Sequence, residues 1–419
     1  MASGGIEGAN PVVEPGRAEV GAAIGIALAF VAATRWPFAR TGPVEADEWM
    51  FVERMGASWL PIHHTLFQSV GRAVGLLAGG PYRGLVILDM VVSALALVSL
   101  WWWLRALVRP STAAAATMAV GVAPLFWSLG EMAANYTMIP LVGAFLLGVA
   151  YRGWREPRAW HPYASAVVLA LGTGYREDIG TFWLPVFGVI LWRHRWRPAI
   201  GSLVLFTALN LAWLLPMLHE AGGWDAYRRE SAEFAYSAGY RNSIWNLGVV
   251  HAPVRYLVKL GLALLVTLGP GLAFLPRGLA RLRWLPDGGR LIALLALAAA
   301  PALGSHLLVH FGMAGYSFHY LPAAVALLAI GIGRATSTAA RTDRAPGRLA
   351  ALAAGLAGVF LLYPADFDRP GLRGDIDLAV GRYTRLGLRA ELDGRAPGVW
   401  RTSNSAPNPR APGAGVRAN

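Results

Sequence analysis

Residues 84–104 read GLVILDMVVSALALVSLWWWL. Twenty or so consecutive apolar residues are what a helix needs to cross a hydrocarbon core. The single carboxylate, Asp89, sits in the first third of the run, and Arg105 and Arg109 follow its end. In lipid every backbone amide must find its partner within the segment, so such a run is a helix. Similar runs fall near 18–35, 112–129, 132–151, 160–174, 179–192, 199–217, 254–275, 291–309, 318–333 and 348–363. About eleven crossings follow at this length per crossing.

The composition agrees. The 419 residues are 55% hydrophobic and only 15% charged, with mean hydropathy +0.45. A soluble domain of that length carries more surface charge. The expected fold class is therefore all-α, a polytopic transmembrane bundle. The net charge of +13 needs no nucleic acid to explain it, because cytoplasmic loops are enriched in Lys and Arg. Without cysteine there is no disulfide or thiolate chemistry.

The arginines orient the bundle. Alternate connections carry Arg105 and Arg109; Arg152, Arg155 and Arg158; Arg193, Arg195 and Arg197; Arg277, Arg281, Arg283 and Arg290; and Arg334, Arg341, Arg344 and Arg348. The positive-inside rule places these five in the cytoplasm, with the N-terminus. The expected organisation is a cytoplasmic tail over 1–17, a transmembrane domain over 18–363, and an extracytoplasmic tail over 364–419. That tail is largely disordered beyond one short helix around Leu378–Leu392. Residues 1–17 lack a basic n-region, so the first run is expected to stay as an anchor.

The carboxylates gather on the other side. Residues 41–55, TGPVEADEWMFVERM, put Glu45, Asp47, Glu48 and Glu53 beside the first span. Asp47 and Glu48 open a helix at the mouth of a membrane-embedded site, where a carboxylate near a bound hydroxyl can act as general base. Acids at a helix start also simply complement its dipole, with Pro43 suiting the first turn. After them HHTLFQSVGRAVGLL, residues 63–77, is amphipathic and expected to lie along the interface. His63 and His64 are adjacent, so on a helix they diverge and make no metal pair.

Other polar groups fall on the same side. Between two short runs lies Tyr175-Arg176-Glu177-Asp178, a turn expected to be recessed in a wet cavity. Arg176 offers a planar fork that matches phosphate; a self-neutralising ion cluster is the plain alternative. Glu131, at a tight turn ahead of Asn135 and Tyr136, completes an acidic mouth or a metal site, or caps a helix. His319 and Tyr320, with His310 nearby, flank the last outer turn, where an imidazole can meet a lipid phosphate. Arg228, Arg229 and Arg241 lie in the long connection 218–253. Arg241 suits an anionic substrate; for the other two a solvated mixed-charge helix suffices. Asp89 is either functional or paired with a neighbouring helix.

The order of these motifs resembles the GT-C glycosyltransferases, in particular the dolichyl-phosphate-mannose protein mannosyltransferase and aminoarabinose transferase group. The resembling stretches are EADEW, WLPIHHTLF, Arg83, PLFWSLGEMAANYTMIPL, GYREDIGTFWLP and SFHYLP, over most of residues 18–333. Pro61-Ile62-His63-His64 stands where the family has His-Pro-Pro.

The resemblance implies a GT-C-like fold in the plasma (inner) membrane, with its active site facing outside. The reaction it implies moves a sugar, with inversion, from a polyprenyl-phosphate donor to the hydroxyl of a lipid, glycan or protein acceptor. It also implies roles: Asp47 as base, Glu48 as its neighbour in orientation or metal contact, Arg176, Glu177 and Asp178 near donor phosphate or acceptor, and His319 and Tyr320 near the lipid phosphate. No metal ligand set is expected from the residues, and the cofactor is left open, with room for a divalent cation. A lipid-linked glycan flippase is the rival from another class, although polar residues at mid-membrane are sparse. A glycan ligase is a third reading, and it would rely on Arg241 and His251.

Overall fold

The structure is a computed structural model that describes residues 14–39, 43, 46–285, 287–333, 344–366 and 371–392. Glu45, Arg334, Arg341, most of the N-terminal tail and the chain from residue 393 lie outside the described residues. Every element among the described residues is helical.

The chain enters through α1 (Arg17–Arg35) and then lays down two short helices, α2 (Ala46–Ala57) and α3 (Thr65–Ala78). Next comes α4 (Pro81–Leu104), the run from which the sequence analysis began. It starts where Pro81 suits a first turn, and it packs against α1, α3, α5 (Pro110–Gly121) and α7 (Met138–Arg155). Between those last two stands the short α6 (Pro124–Leu129). The contact of α3 with α4 is backbone against backbone. A methyl on Gly84 would lie 2.0 Å from the Gly71 carbonyl oxygen and 2.4 Å from the Gly75 nitrogen, so only glycine allows this approach.

The remaining helices are α8 (Trp160–Tyr175), α9 (Glu177–Trp192), α10 (Trp196–Glu220), α11 (Trp224–Phe234), α12 (Ile244–Leu247), α13 (His251–Leu268) and α14 (Leu275–Leu282). They are followed by α15 (Gly288–Leu308), α16 (Leu321–Ile332), α17 (Ala345–Leu362), α18 (Leu372–Gly381) and α19 (Arg385–Leu392). All of the apolar runs are helical over most of their length. Six helical segments are long and apolar enough to cross a membrane: 17–38, 81–104, 196–220, 251–282, 288–308 and 345–362. Leu203, Val204 and Leu215 of α10 and Val254, Leu257 and Val258 of α13 are exposed, as lipid-facing residues should be. The chain is an integral membrane protein.

Three details depart from expectation. The run 132–151 does not start as helix: residues 130–137 form a buried turn and α7 begins at Met138. His63 and His64 are not on a helix either; both have left-handed backbone, φ 64° and 54°, just ahead of α3. In the tail, Gly381 ends one helix and Thr384 starts another, its hydroxyl accepting from the Gly387 amide, so two helices stand where one was expected.

Candidate active site

The acidic pair splits. On α2 the period of the helix puts Glu48, Phe51 and Met55 on one face, and all three are buried. Glu48 accepts hydrogen bonds from the Tyr82 hydroxyl at 2.9 Å and the Ala133 amide at 3.0 Å. It therefore ties α2 to the start of α4 and to the 130–137 turn. Asp47, one step round the helix, is exposed. Solvent reaches its carboxylate, yet protein crowds the helix start, and this crowding raises its pKa. His64, Arg176 and Arg54 pull the other way, while Glu48 adds to the rise. Asp47 therefore stands within the electrostatic reach of both the first connection and the α8–α9 turn.

That turn is a single residue. Arg176 is extended, φ −157° and ψ 113°, between the end of α8 and the start of α9. Glu177 and Asp178 then occupy the first turn of α9, where carboxylates suit the dipole. The Arg176 Nε donates to both oxygens of Asp178 at 3.0 Å, and Nη1 donates to Asn135 Oδ1 at 2.6 Å. Its guanidinium lies 4.2 Å from the Tyr136 ring centre and 4.8 Å from that of Tyr316. Burial works against this charge, but Asp178 and the two tyrosines outweigh it, and the pKa ends above the usual arginine value.

Asn135 reaches Arg176 from left-handed backbone, φ 53°, a conformation asparagine tolerates better than most residues. The Asp178 Oδ2 lies 3.5 Å from His319 Nε2. Burial lowers the His319 pKa while Asp178 opposes the fall. His319 is packed edge-on to Phe182, 4.8 Å between ring centres.

Glu177 holds the first connection. Its Oε1 accepts from the His64 amide at 2.6 Å and its Oε2 lies 3.1 Å from His64 Nδ1. His63 turns away and lies against Phe234 of α11, 4.8 Å between rings. Burial brings its pKa down to about 4 despite Glu177 nearby. The long connection docks on the same region through Arg54 Nη2 and Glu230 Oε1, 3.0 Å apart. A second tie is the acceptance by Glu220 Oε1 from the Ser58 hydroxyl and the Trp59 amide, at 2.7 and 2.8 Å.

The structure thus brings Asp47, Glu48, His64, Arg176, Glu177, Asp178 and His319 together. Five other candidate residues lie apart. Glu131 is buried on the inner side of its turn, where its charge and that of Asp89 act on Arg35. Arg35 is itself buried, donates to the Ser93 hydroxyl and lies 5.0 Å from the Phe126 ring. Asp89 takes bonds from the Thr137 and Tyr175 hydroxyls at 2.5 and 3.3 Å, so it is paired with neighbouring elements. Tyr320 bonds His306 Nδ1 at 2.8 Å, His63 faces α11, and Arg241 is exposed over the ring of Tyr236 at 5.2 Å.

Among the described residues no group of three or more His, Asp and Glu side chains could hold a metal ion. An apolar cavity of about 280 Å³ lies away from the charged site, lined by Ala23, Phe30, Leu97, Trp101 and Met118 among others. Sequence reasoning noted Tyr136 only as a neighbour of Glu131 and missed Tyr82 and Tyr316. Nothing local marked those two; the Asn135-Tyr136 pair, four residues after Glu131, was the one signal for the Arg176 surroundings.

No protein-family model matches the chain, and no curated protein matches it. Two solved structures are similar. The aminoarabinose transferase ArnT from Cupriavidus metallidurans, solved with undecaprenyl phosphate, gives a TM-score of 0.55 at 13% identity over 92% of this chain and 74% of that one. The Saccharomyces cerevisiae protein O-mannosyltransferase Pmt1-Pmt2 complex with its sugar donor gives 0.40 at 13% identity, over 48% of this chain and 34% of that one. At these identities the likeness is one of fold, and the ArnT comparison carries it. The chain is an integral membrane protein whose fold is similar to that of ArnT.

Proposed function

We propose that the chain is an inverting glycosyltransferase that moves a sugar from a polyprenyl-phosphate donor to an acceptor hydroxyl on the extracytoplasmic face of the membrane. The observation that carries the reading is exposed Asp47 within the electrostatic reach of the buried Arg176 group, on a chain whose fold is similar to that of ArnT. A polyprenyl donor is dissolved in the bilayer, so its enzyme needs spans beside the site. The acceptor needs a base, and the leaving phosphate needs fixed positive charge.

In this mechanism Asp47 takes the proton of the acceptor hydroxyl. The hydroxyl oxygen bonds to the anomeric carbon on the face opposite the phosphate. The bond from that carbon to the phosphate oxygen breaks, and its electron pair leaves with the polyprenyl phosphate. Glu48, closed off by Tyr82 and Ala133, sets the position of α2 and hence of Asp47. Arg176, whose Nε and Nη1 are engaged by Asp178 and Asn135, is a fixed counter-charge that lowers the proton affinity of Asp47. Glu177 and His64 hold the first connection against α9. The lipid, glycan or protein nature of the acceptor lies outside this mechanism, and no step passes through a metal ion.

The test is transfer of radiolabelled sugar from a polyprenyl-phosphate donor by membranes carrying wild type, Asp47→Asn or Arg241→Ala. Loss with Asp47→Asn and retention with Arg241→Ala is the expected pattern. The reverse pattern would move the chemistry to the long connection, as the ligase reading requires.

A further inference from the structure

Asp89 is an acid inside a membrane span that the mechanism above does not use. It lies in the third turn of α4 and is wholly buried. Burying a carboxylate is costly unless hydrogen bonds satisfy it, and an apolar residue would hold two helices together at less cost. What the carboxylate adds is a fixed position for the groups that donate to it.

Its two donors stand on either side of Arg176. Tyr175, the residue before Arg176, donates its hydroxyl to Asp89 Oδ1 at 3.3 Å. Thr137 donates to the same oxygen at 2.5 Å. It follows Asn135, which accepts from Arg176 Nη1, and Tyr136, whose ring centre is 4.2 Å from the guanidinium. One carboxylate oxygen therefore fixes both the backbone from which Arg176 starts and the turn on which its side chain rests.

The start of that turn also stands on α4. Gly130 lies against Arg35, whose guanidinium a methyl group there would strike. Arg35 in turn donates to the hydroxyl of Ser93, four residues beyond Asp89. The same clamp reaches the helix that carries Asp47. The Tyr175 ring lies 4.8 Å from that of Phe67 on α3, and Phe67 lies 5.4 Å from Phe51 on α2. Besides burial, the groups that act on Asp47 are His64, Arg176, Glu48 and Arg54. Of these, Arg176 is the one flanked by the two donors to Asp89.

We infer that Asp89 is a positioning residue: from inside the bilayer it fixes where the Arg176 guanidinium stands toward Asp47. Its catalytic consequence rests on the sugar-transfer reading, but the placement is measured without turnover.

Purified full-length protein in detergent is labelled with a water-soluble carbodiimide and glycine ethyl ester across a pH series, and the rate at Asp47 is read by peptide mass spectrometry. Carbodiimide attacks the protonated carboxyl, so the rate reports when Asp47 loses its proton. Thr137→Val with Tyr175→Phe removes both hydroxyls and keeps the buried volume. The Asp47 midpoint of this double variant should lie about 0.5 pH or more above that of wild type, because a less well placed cation favours the carboxylate less. Thr137→Ser keeps the hydroxyl and should titrate as wild type. In sugar transfer the double variant should lose about tenfold or more in kcat, with KM for the donor within about twofold of wild type. A double variant that elutes as a single species and titrates as wild type does would overturn the assignment, whether or not its unfolding midpoint falls. Unchanged kcat in a protein that transfers sugar would also overturn it. A shifted Asp47 midpoint in a protein that transfers no sugar would uphold the clamp and reject the transferase reading.

Discussion

The two ends of the helical bundle use arginine differently. At the end expected to face the cytoplasm, Arg281 Nη1 donates to the Ile330 and Gly331 carbonyls at 2.9 and 3.0 Å. Arg152 Nη2 donates to the Trp102 carbonyl at 2.6 Å, its guanidinium 3.7 Å from the Trp102 ring. These cations satisfy carbonyls at helix ends, where the dipole already favours positive charge. At the other end Arg176 bonds side chains instead, Asp178 and Asn135, between the rings of Tyr136 and Tyr316. Carbonyl-bonded arginines hold helices together. A side-chain-bonded arginine builds a charged assembly whose field reaches an exposed carboxylate.

The contrast is sharpest at Asp47. Asp47→Asn should cut sugar transfer by about 10²–10⁴-fold, with the unfolding midpoint unchanged because the residue is exposed. The raised pKa of Asp47 gives a direction for pH. A base acts when deprotonated, so the rate should climb with pH through a midpoint above the ordinary aspartate range and level off beyond it. A rate profile with its acidic limb at or below that range would count against Asp47 as the base.

Arginine removal compares the ends directly. Arg176→Met removes a buried cation and leaves half-buried Asp178 with only His319 beside it, and should destabilise by about 3–5 kcal/mol. Arg281→Met loses charge-assisted bonds to carbonyls and should cost about 1.5–3 kcal/mol. Both are read by unfolding in one detergent; equal losses would erase the distinction drawn between the ends.

Glycine substitutions test how tightly the acidic end is built. Gly84→Ala forces α3 off α4 and should cost about 1–3 kcal/mol. Gly261→Ala on α13 meets nothing within 4 Å and should stabilise by about 0.5–1 kcal/mol. A backbone test of the same end is the left-handed Asn135. Asn135→Ala should be less stable than Asn135→Gly by about 1–2 kcal/mol, since both lose the bond to Arg176 and only alanine also strains the backbone. Equal midpoints for the two variants would show the turn relaxing.

Much of the molecule was legible because lipid imposes a simple rule. Apolar runs of helical length mark the helices, and the run at 84–104 became α4 nearly to the residue. The charged motifs were legible as motifs, and EADEW, GYRED and SFHYLP do converge. Their partners were not. Glu48 and Asp47 differ by one position, and nothing local says that Tyr82 and Ala133 will close over the first and leave the second open. The 130–137 turn was hidden for a related reason. Its residues are apolar enough to pass for the start of a span, and only its buried bonds to Glu48 and Arg176 draw the backbone out of helix.

What the amino-acid order determined alone was the class: a helical membrane protein with its acids gathered apart from most of its arginines. That much follows from hydropathy and charge counted along a line. The tertiary structure decided which carboxylate faces water, which arginine is locked between tyrosines, and that His64 meets Glu177. Those outcomes depend on segments far apart in sequence coming within a few ångströms of one another. Electrostatic energy is set by that separation and by the burial it creates, and neither can be read along the chain.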